Sequence, residues 1–325
     1  MVLKQFGSDL KKIQSLLALF LLCLVISLLS DTFLTAANGI NVLRQIAVNT
    51  CIATGMTLVV LTGGIDLSVG SVLALCGALA AGLLKNGLPI ASLDLFVGFT
   101  VLGAFLAAIL LGALIGFFNG WAITQFNVPP FVATLAMLTM ARGATMLYTE
   151  GHPISNLGEG FAFIGSGAVM GIPVPVLIAL VVVLLTSFMV NKTKLGRYIY
   201  AIGGNETAAR LSGIRIEKVK TIVYAIGATL AALGGLIVTA RLDSAQPNAG
   251  TSYELDAIAA VVIGGSSLNG GRGTIWGTVI GAVIIGVLNN GLVLLDVSPF
   301  WQQVVKGAVI LLAVIIDRRN QKNKD

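Results

Sequence analysis

Long apolar runs separated by short polar breaks divide the chain into segments that read as membrane helices. The runs fall near residues 13–30, 42–62, 68–84, 95–120, 131–149, 174–191, 219–241, 255–267, 274–295 and 299–316. A helix crosses the hydrocarbon core of a bilayer, about 30 Å thick, in about 20 apolar residues. Only helices and closed barrels satisfy their backbone groups in that medium. A continuous stretch such as 174-VPVLIALVVVLLTSFMV-190 lacks the alternation of a barrel strand. The pattern predicts an all-α polytopic membrane bundle of about ten transmembrane helices, with residues 1–325 forming a single transmembrane domain.

Two places break the regularity. The eighth run, LDAIAAVVIGGSS, gives roughly 20 Å of helix at about 1.5 Å per residue, too short for the core, so a broken span or a re-entrant segment is expected. The stretch 62-TGGIDLSVG-70 joins two spans with almost no loop.

Composition supports a lipid environment. Hydrophobic residues make up 56% and charged residues 10% of the chain, against about 45–50% and about 25% in a globular domain. The mean hydropathy is +0.96. The start MVLKQFGSDLKKIQSLLALFLLCLVISLL resembles a signal peptide, but no small-x-small cleavage site follows closely, so an uncleaved first span is expected. Cys23, Cys51 and Cys76 fall in apolar surroundings without a CxxC and read as inert buried thiols.

Charge sets the orientation. With the amino terminus inside and ten crossings, the cytoplasmic pieces are 1–12, 63–67, 121–130, 192–218, 268–273 and 317–325, which with their edges hold 15 of the 20 Lys and Arg residues. That bias predicts a multi-pass protein with both termini in the cytoplasm and external loops at 150–173 and 242–254. It also argues that the eighth segment crosses, since a re-entrant one would turn the basic DRRNQKNKD terminus outward. The formal charge of +6 is accounted for in the same way, and no nucleic-acid partner is expected.

Glycines supply a packing logic. Gly112, Gly116 and Gly120 form successive GxxxG steps in the fourth span, and Gly277 and Gly281 form another in the ninth. Small residues of this kind let helix backbones approach closely in lipid. A weak internal echo is also present: 111-LGALIGFFNG-120 resembles 280-IGAVIIGVLNNG-291, and GIDL (64–67) resembles ELDA (254–257) ahead of each. Related halves with interrupted segments in corresponding positions are a transporter feature.

Little of the chain's chemistry points to catalysis. There is no GxxxxGK[ST] P-loop, the one histidine, His152, sits in a predicted external loop, and no catalytic triad or paired carboxylates fall inside the membrane. No cofactor, metal or catalytic residue is expected. Intramembrane charges are functional candidates by default. Arg142, mid-span in 137-MLTMARGATML-147, lines an aqueous path, pairs with a carboxylate or reaches a headgroup. Lys306 lies nearer its span's outer end and reads as snorkelling. Asp66 reads as a cap for the helix that follows or as a substrate contact. Ser68, Asn289 and Asn290, with Asn119 and Thr57, suit a neutral, hydroxyl-rich cargo by type, or serve as polar glue between helices.

The window 195-LGRYIYAIGGNETAARLSGIRIEKVK-220 carries five basic and two acidic residues between the sixth and seventh spans. Within it, Asn205 is placed to cap a short helix, Glu206 to favour its positive end and Arg210 to pair with Glu206 at i+4. Ala208, Ala209 and Leu211 give it a small apolar face, Gly213 stops it, and a second helix begins at Ile216. A basic linker that only enforces topology needs less structure than this.

The sequences LGRYIYAIGGNETAARLSGI and ARLDSAQPNAGTSYELDAIAAVVIGGSSLNGGRGT, with LTGGIDLSVGSVLAL and VLNNGLVLL, closely resemble the permease subunit of bacterial ABC importers for monosaccharides, over nearly the whole chain. Within that family the ribose members match best. The resemblance implies a transmembrane permease of the bacterial inner membrane, working as a two-fold dimer of permease copies with two cytoplasmic ABC ATPases. An external, periplasmic sugar-binding protein would deliver the cargo, at the 150–173 and 242–254 loops. ATP hydrolysis belongs to the partner chain. The 192–218 loop would be the coupling element, with Gly203, Gly204, Asn205, Glu206, Arg210, Ser212 and Gly213 as the coupling residues. The alternative is a secondary transporter of a small neutral solute, with Asp66 and Arg142 as the nucleus of an ion site.

Overall fold

The computed structural model describes residues 2–90 and 95–322. In chain order the first helices are α1 (Val2–Leu29), α2 (Ala36–Leu61), α3 (Val69–Asn86), α4 (Val101–Gln125), α5 (Pro130–Thr149) and α6 (Glu159–Ser166). They are followed by α7 (Val174–Lys192), α8 (Lys194–Gly204), α9 (Glu206–Leu211), α10 (Ile216–Leu242), α11 (Tyr253–Ile263), α12 (Ile275–Leu294) and α13 (Pro299–Lys322). Short strands are β1 (Leu88–Ile90), β2 (Leu95–Val97), β3 (Ile154–Ser155), β4 (Ala168–Val169), β5 (Ile172–Pro173) and β6 (Ser244–Ala245). Each predicted apolar run contains a helix. Among the described residues, α2, α3, α4, α5, α7, α10 and α12 are long and apolar enough to cross a membrane, and α1 adds a shorter apolar stretch, Leu16–Leu29.

Two differences from the sequence pattern have local causes. The fourth run was expected from residue 95, but its first residues form β2, antiparallel to β1 with Leu88 opposite Val97. Helix α4 starts only where the Thr100 hydroxyl accepts the Gly103 amide at 3.2 Å. The eighth run shortens to the eleven residues of α11. It ends where Gly264 and Gly265 follow, Gly265 with φ +86°. As expected, a helix begins at Ile216, and it runs on through the seventh span as one helix of 27 residues.

The chain divides into two compact units, Met1–Gly64 with Val181–Ile214 and Leu255–Asp325, and Ile65–Leu180 with Arg215–Glu254. In the second unit α10 packs on α4, α3 and α6. A side-chain carbon added at Gly112 would lie 2.6 Å from the Ala232 methyl, at Gly116 2.7 Å from that of Ala228, and at Gly120 2.5 Å from Thr221 Cα. The core there is correspondingly rich in alanine: Ala80, Ala81, Ala104, Ala108, Ala141, Ala228 and Ala232 are buried around Phe161 and Leu236. Close approach of backbones replaces large side chains, as expected where no hydrophobic effect drives helices together.

The loops 150–173 and 242–254 of this unit are joined to each other. Strand β3 pairs antiparallel with β6, Ile154 opposite Ala245 and Ser155 opposite Ser244. The two serine hydroxyls share a 2.8 Å hydrogen bond. Asp243 Oδ1 accepts the Leu157 amide at 2.9 Å. His152 is exposed in the turn that precedes β3.

In the first unit α12 packs on α2 and α1. Gly281 is pressed on the Ala260 carbonyl of α11 and Gly277 on that of Gly264. Thr57 and Thr278 hydroxyls meet at 2.7 Å. Cys51 is fully buried there and Cys23 half-buried, and Cys76 is fully buried in the second unit.

Candidate functional site

The segment after α7 is built from two capped helices. The Thr193 hydroxyl accepts the Gly196 amide at 3.3 Å and starts α8. Gly196, Ile199 and Ile202 are its buried face. Tyr200, half-buried, donates from its hydroxyl to the Gly273 carbonyl at 2.8 Å, and burial raises its phenol above the ordinary value. Asn205 then leaves the helix in extended conformation, φ −159° and ψ 104°, and its Oδ1 accepts the Ala208 amide at 2.9 Å.

That cap starts α9, whose six residues are ETAARL. At its far end the Gly213 amide donates to Arg210 O at 3.0 Å and the Ile214 amide to Ala209 O at 3.1 Å. These two bonds are the Schellman closure, which needs a left-handed residue, here Gly213 at φ +82°. Ser212 precedes that glycine and returns its hydroxyl to Ala208 O at 2.9 Å. Glu206 and Arg210 approach to 3.9 Å with both side chains about half exposed. Such a pair contributes about 0.3–0.5 kcal/mol, so the caps and not the ion pair hold this helix. Asn205→Ala is expected to destabilise α9 by about 1 kcal/mol, read as faster amide hydrogen exchange across residues 206–211.

The expected apolar face of α9 is split. Ala209 is buried, while Ala208 is exposed and Leu211 stands 84% exposed. Glu206, Arg210 and Leu211 therefore form an outward patch. The glycines before α9 also differ from each other. A side chain at Gly203 would fall on the Leu61 carbonyl and the Gly271 amide, whereas Gly204 has open space.

The intramembrane polar residues form two clusters, one in each unit. In one, Asp66 Oδ1 accepts the Ser68 amide at 2.9 Å and its hydroxyl at 2.6 Å. Asn119 Nδ2 donates to the Ser68 hydroxyl at 3.2 Å. Asp66 is fully buried, and among the described residues its Oδ2 has no hydrogen-bond partner. The aspartate thus organises the first turn of α3 from two residues upstream of its cap position, Ser68. Arg142 lies in the same unit and donates to Pro247 O at 2.7 Å and Ala249 O at 2.9 Å, with Glu254 near enough to act on its charge. It fastens the 242–254 loop to α5.

In the other unit Asp256 Oδ2 accepts Asn289 Nδ2 at 3.0 Å and Lys306 Nζ at 2.9 Å. Lys306 therefore makes a buried ion pair where the sequence suggested a snorkelling side chain. The adjacent Asn290 exchanges amide hydrogen bonds with Asn38 of α2, at 2.8 and 3.1 Å. Sequence reasoning passed over Asp256, although ELDA was half of the internal echo. In both units the acid of the short motif meets the helix of the asparagine motif: Asp66 reaches Asn119 through Ser68, and Asp256 binds Asn289 directly. Reasoning from residue type also gave no role to Tyr200, Gly270 or Gly271, whose partners are distant in sequence.

Comparison with known proteins agrees with a transport fold. Residues 38–314 match the family described as branched-chain amino acid transport system / permease component. The chain is 50% identical to the ribose import permease protein RbsC of Bacillus subtilis (strain 168), covering 97% of this chain and 95% of that protein. It is 51% identical to RbsC of Escherichia coli (strain K12), covering 95% and 94%. The xylose transport system permease protein XylH of Haemophilus influenzae is 39% identical, covering 94% and 96%. No solved structure matches. With the family pattern spanning residues 38–314 and half of all positions shared with permeases along nearly their full length, the chain belongs to the branched-chain amino acid transport system / permease component family.

Proposed function

We propose that this chain is the membrane-spanning permease subunit of an ATP-driven importer of ribose. The observation that carries the reading is the 50–51% identity with ribose import permeases over 94–97% of each chain, against 39% with a xylose permease. The whole chain acts as one transmembrane permease domain in a bacterial inner membrane, with both termini cytoplasmic. It is not itself an enzyme: a separate cytoplasmic ABC ATPase hydrolyses the nucleotide, a periplasmic binding protein delivers the sugar, and two permease copies form the pathway.

In this reading the segment from Gly203 to Gly213 couples the permease to the ATPase. The capped ends of α9 support it, because a helix fixed at both ends moves as a rigid body when pushed. Glu206, Arg210 and Leu211 are the side chains turned outward for the contact, while Asn205, Ser212 and Gly213 hold the helix that presents them. Asp66, Ser68, Asn289, Asn290 and Arg142 hold the bundle's polar interior. A secondary transporter needs an ion site built on Asp66 and Arg142. Asp66 bonds Ser68, and Arg142 bonds Pro247 and Ala249, which favours a structural role for both.

Two measurements test the reading. Vesicles carrying the chain, its ATPase and the binding protein should accumulate ribose only with ATP. Uptake that survives ATP depletion and collapses with the ion gradient overturns the proposal. Reversing both charges of α9, Glu206→Lys with Arg210→Glu, should leave membrane insertion normal and lower copurification of the ATPase at least about tenfold, the effect of misplaced interface charge. Unaltered copurification and uptake would remove these side chains from the contact.

A further inference from the structure

We infer that the coupling segment acts inward through a glycine junction that ties it to the end of α2 and to the α11–α12 hairpin. Three stretches distant in sequence close on one point: residues 61–63, 203–204 and 269–273. The Gly271 amide donates to Leu61 O at 3.0 Å, joining the hairpin loop to the last carbonyl of α2. Gly203 of α8 sits directly against that same carbonyl and that same amide, with no room for a side chain. A carbon added at Gly270 would come within 2.9 Å of the Gly63 amide and 3.0 Å of Gly203 Cα, and one at Gly271 within 2.8 Å of the Gly204 amide. Gly270 and Gly271 have φ of +87° and +69°. Backbone packs on backbone from three directions. The Tyr200 hydroxyl, bonded to Gly273 O at 2.8 Å, clamps the same loop one turn earlier on α8.

The loop is stiff enough to pass on a displacement. Its Ser267 amide donates to Arg272 O at 2.8 Å and its Gly270 amide to Ser267 O at 3.0 Å. Thr274 caps α12 through the Gly277 amide at 3.0 Å. At the other side of the hairpin, Gly264 and Gly277 touch through their backbones. A push on α9 travels through Asn205 into α8, and at Gly203 meets α2 and the loop without any compressible side chain between. From the loop it reaches α12 and α11, the helix that carries Asp256. Packed interiors respond to such a push by discrete shifts rather than by yielding. Gly203 is thus a positioning residue of the transport cycle, one residue away from Gly204, where an added side-chain carbon would meet nothing within 4 Å.

This rests on the functional reading above, and the test separates the two. The full chain is reconstituted with its ATPase and binding protein, and ribose carried per ATP hydrolysed is measured alongside ATPase copurification. Gly203→Ala should lower ribose per ATP roughly tenfold, the range found for residues that carry coupling between sites, with copurification unchanged. Gly143→Ala, on α5 with open space around it and outside the coupling segment, should change neither quantity. A merely structural role for Gly203 lowers yield and both rates together and leaves their ratio intact. An unchanged ratio in Gly203→Ala, or equal losses in both variants, overturns the junction. Should Gly203→Ala fail to reach the membrane, Tyr200→Phe carries the test: it removes only the hydroxyl and should lower the ratio about threefold, and an unchanged ratio overturns the inference. Wild-type vesicles with no ATP-driven sugar uptake overturn the functional reading and the junction with it. Wild-type uptake with normal coupling in the variants overturns the junction alone.

Discussion

Lys306→Met is expected to destabilise the folded protein by about 3–5 kcal/mol, the typical result of removing one partner from a buried ion pair. Lys306 Nζ lies 2.9 Å from Asp256 Oδ2, with side chains only 16% and 4% exposed. The same oxygen accepts one further bond, from Asn289. Without the ammonium, the carboxylate is left in the interior with a single amide partner, which is unfavourable. The companion variant Asp256→Asn with Lys306→Met removes both charges, and most of the lost stability should return. Unfolding midpoints in detergent, followed by the loss of the monodisperse species on heating, distinguish the cases. A single variant as stable as the wild type would mean that Lys306 reaches polar surroundings by another path.

Gly116→Leu should prevent the second unit from closing. Helices α4 and α10 meet there through backbone, and an added Cβ would fall on the Tyr224 carbonyl, 2.7 Å from the Ala228 methyl and 2.8 Å from Ala225 Cα. Extra methylenes in a packed core cost about 1–3 kcal/mol, and more where backbone blocks the way. Tyr224 also donates to Ile65 O at 3.5 Å, so a displaced α10 disturbs the turn that holds Asp66. Gly143→Leu, on α5 with open space around it, is the matched control and should remain near neutral. The yield of monodisperse protein reads the difference, and equal losses in the two variants would exclude close packing as the cause.

The positions of the helices were legible because apolar runs and polar breaks are local. The same holds for α9: Asn205, Glu206 and Gly213 mark its start and end by their own chemistry, and each was found in its expected role at the helix end. Partnerships across the chain were not legible. Lys306 read as snorkelling because nothing near it in sequence offers a carboxylate, and Asp256 is fifty residues away. Arg142 was recognised as significant, but its acceptors are backbone carbonyls, which every residue possesses and no sequence pattern marks. The strand β2 was hidden because LFV is as apolar as the helix that follows it. Gly203 and Gly204 are indistinguishable in sequence, and only the approach of Leu61 and Gly271 separates them.

The pairing of β3 with β6 has a consequence for recognition. Two loops separated by the whole of α7 to α10 are held in register, with Asp243 bracing Leu157 and Arg142 gripping Pro247 and Ala249 from below. Any protein that lands on this surface meets main chain that is already ordered. The usual penalty of about 0.5–1.5 kcal/mol for each side chain immobilised on binding then applies mainly to the visitor. A surface prepared in this way binds more tightly than a loose one with the same contacts, because the ordering of its loops is already met within the fold.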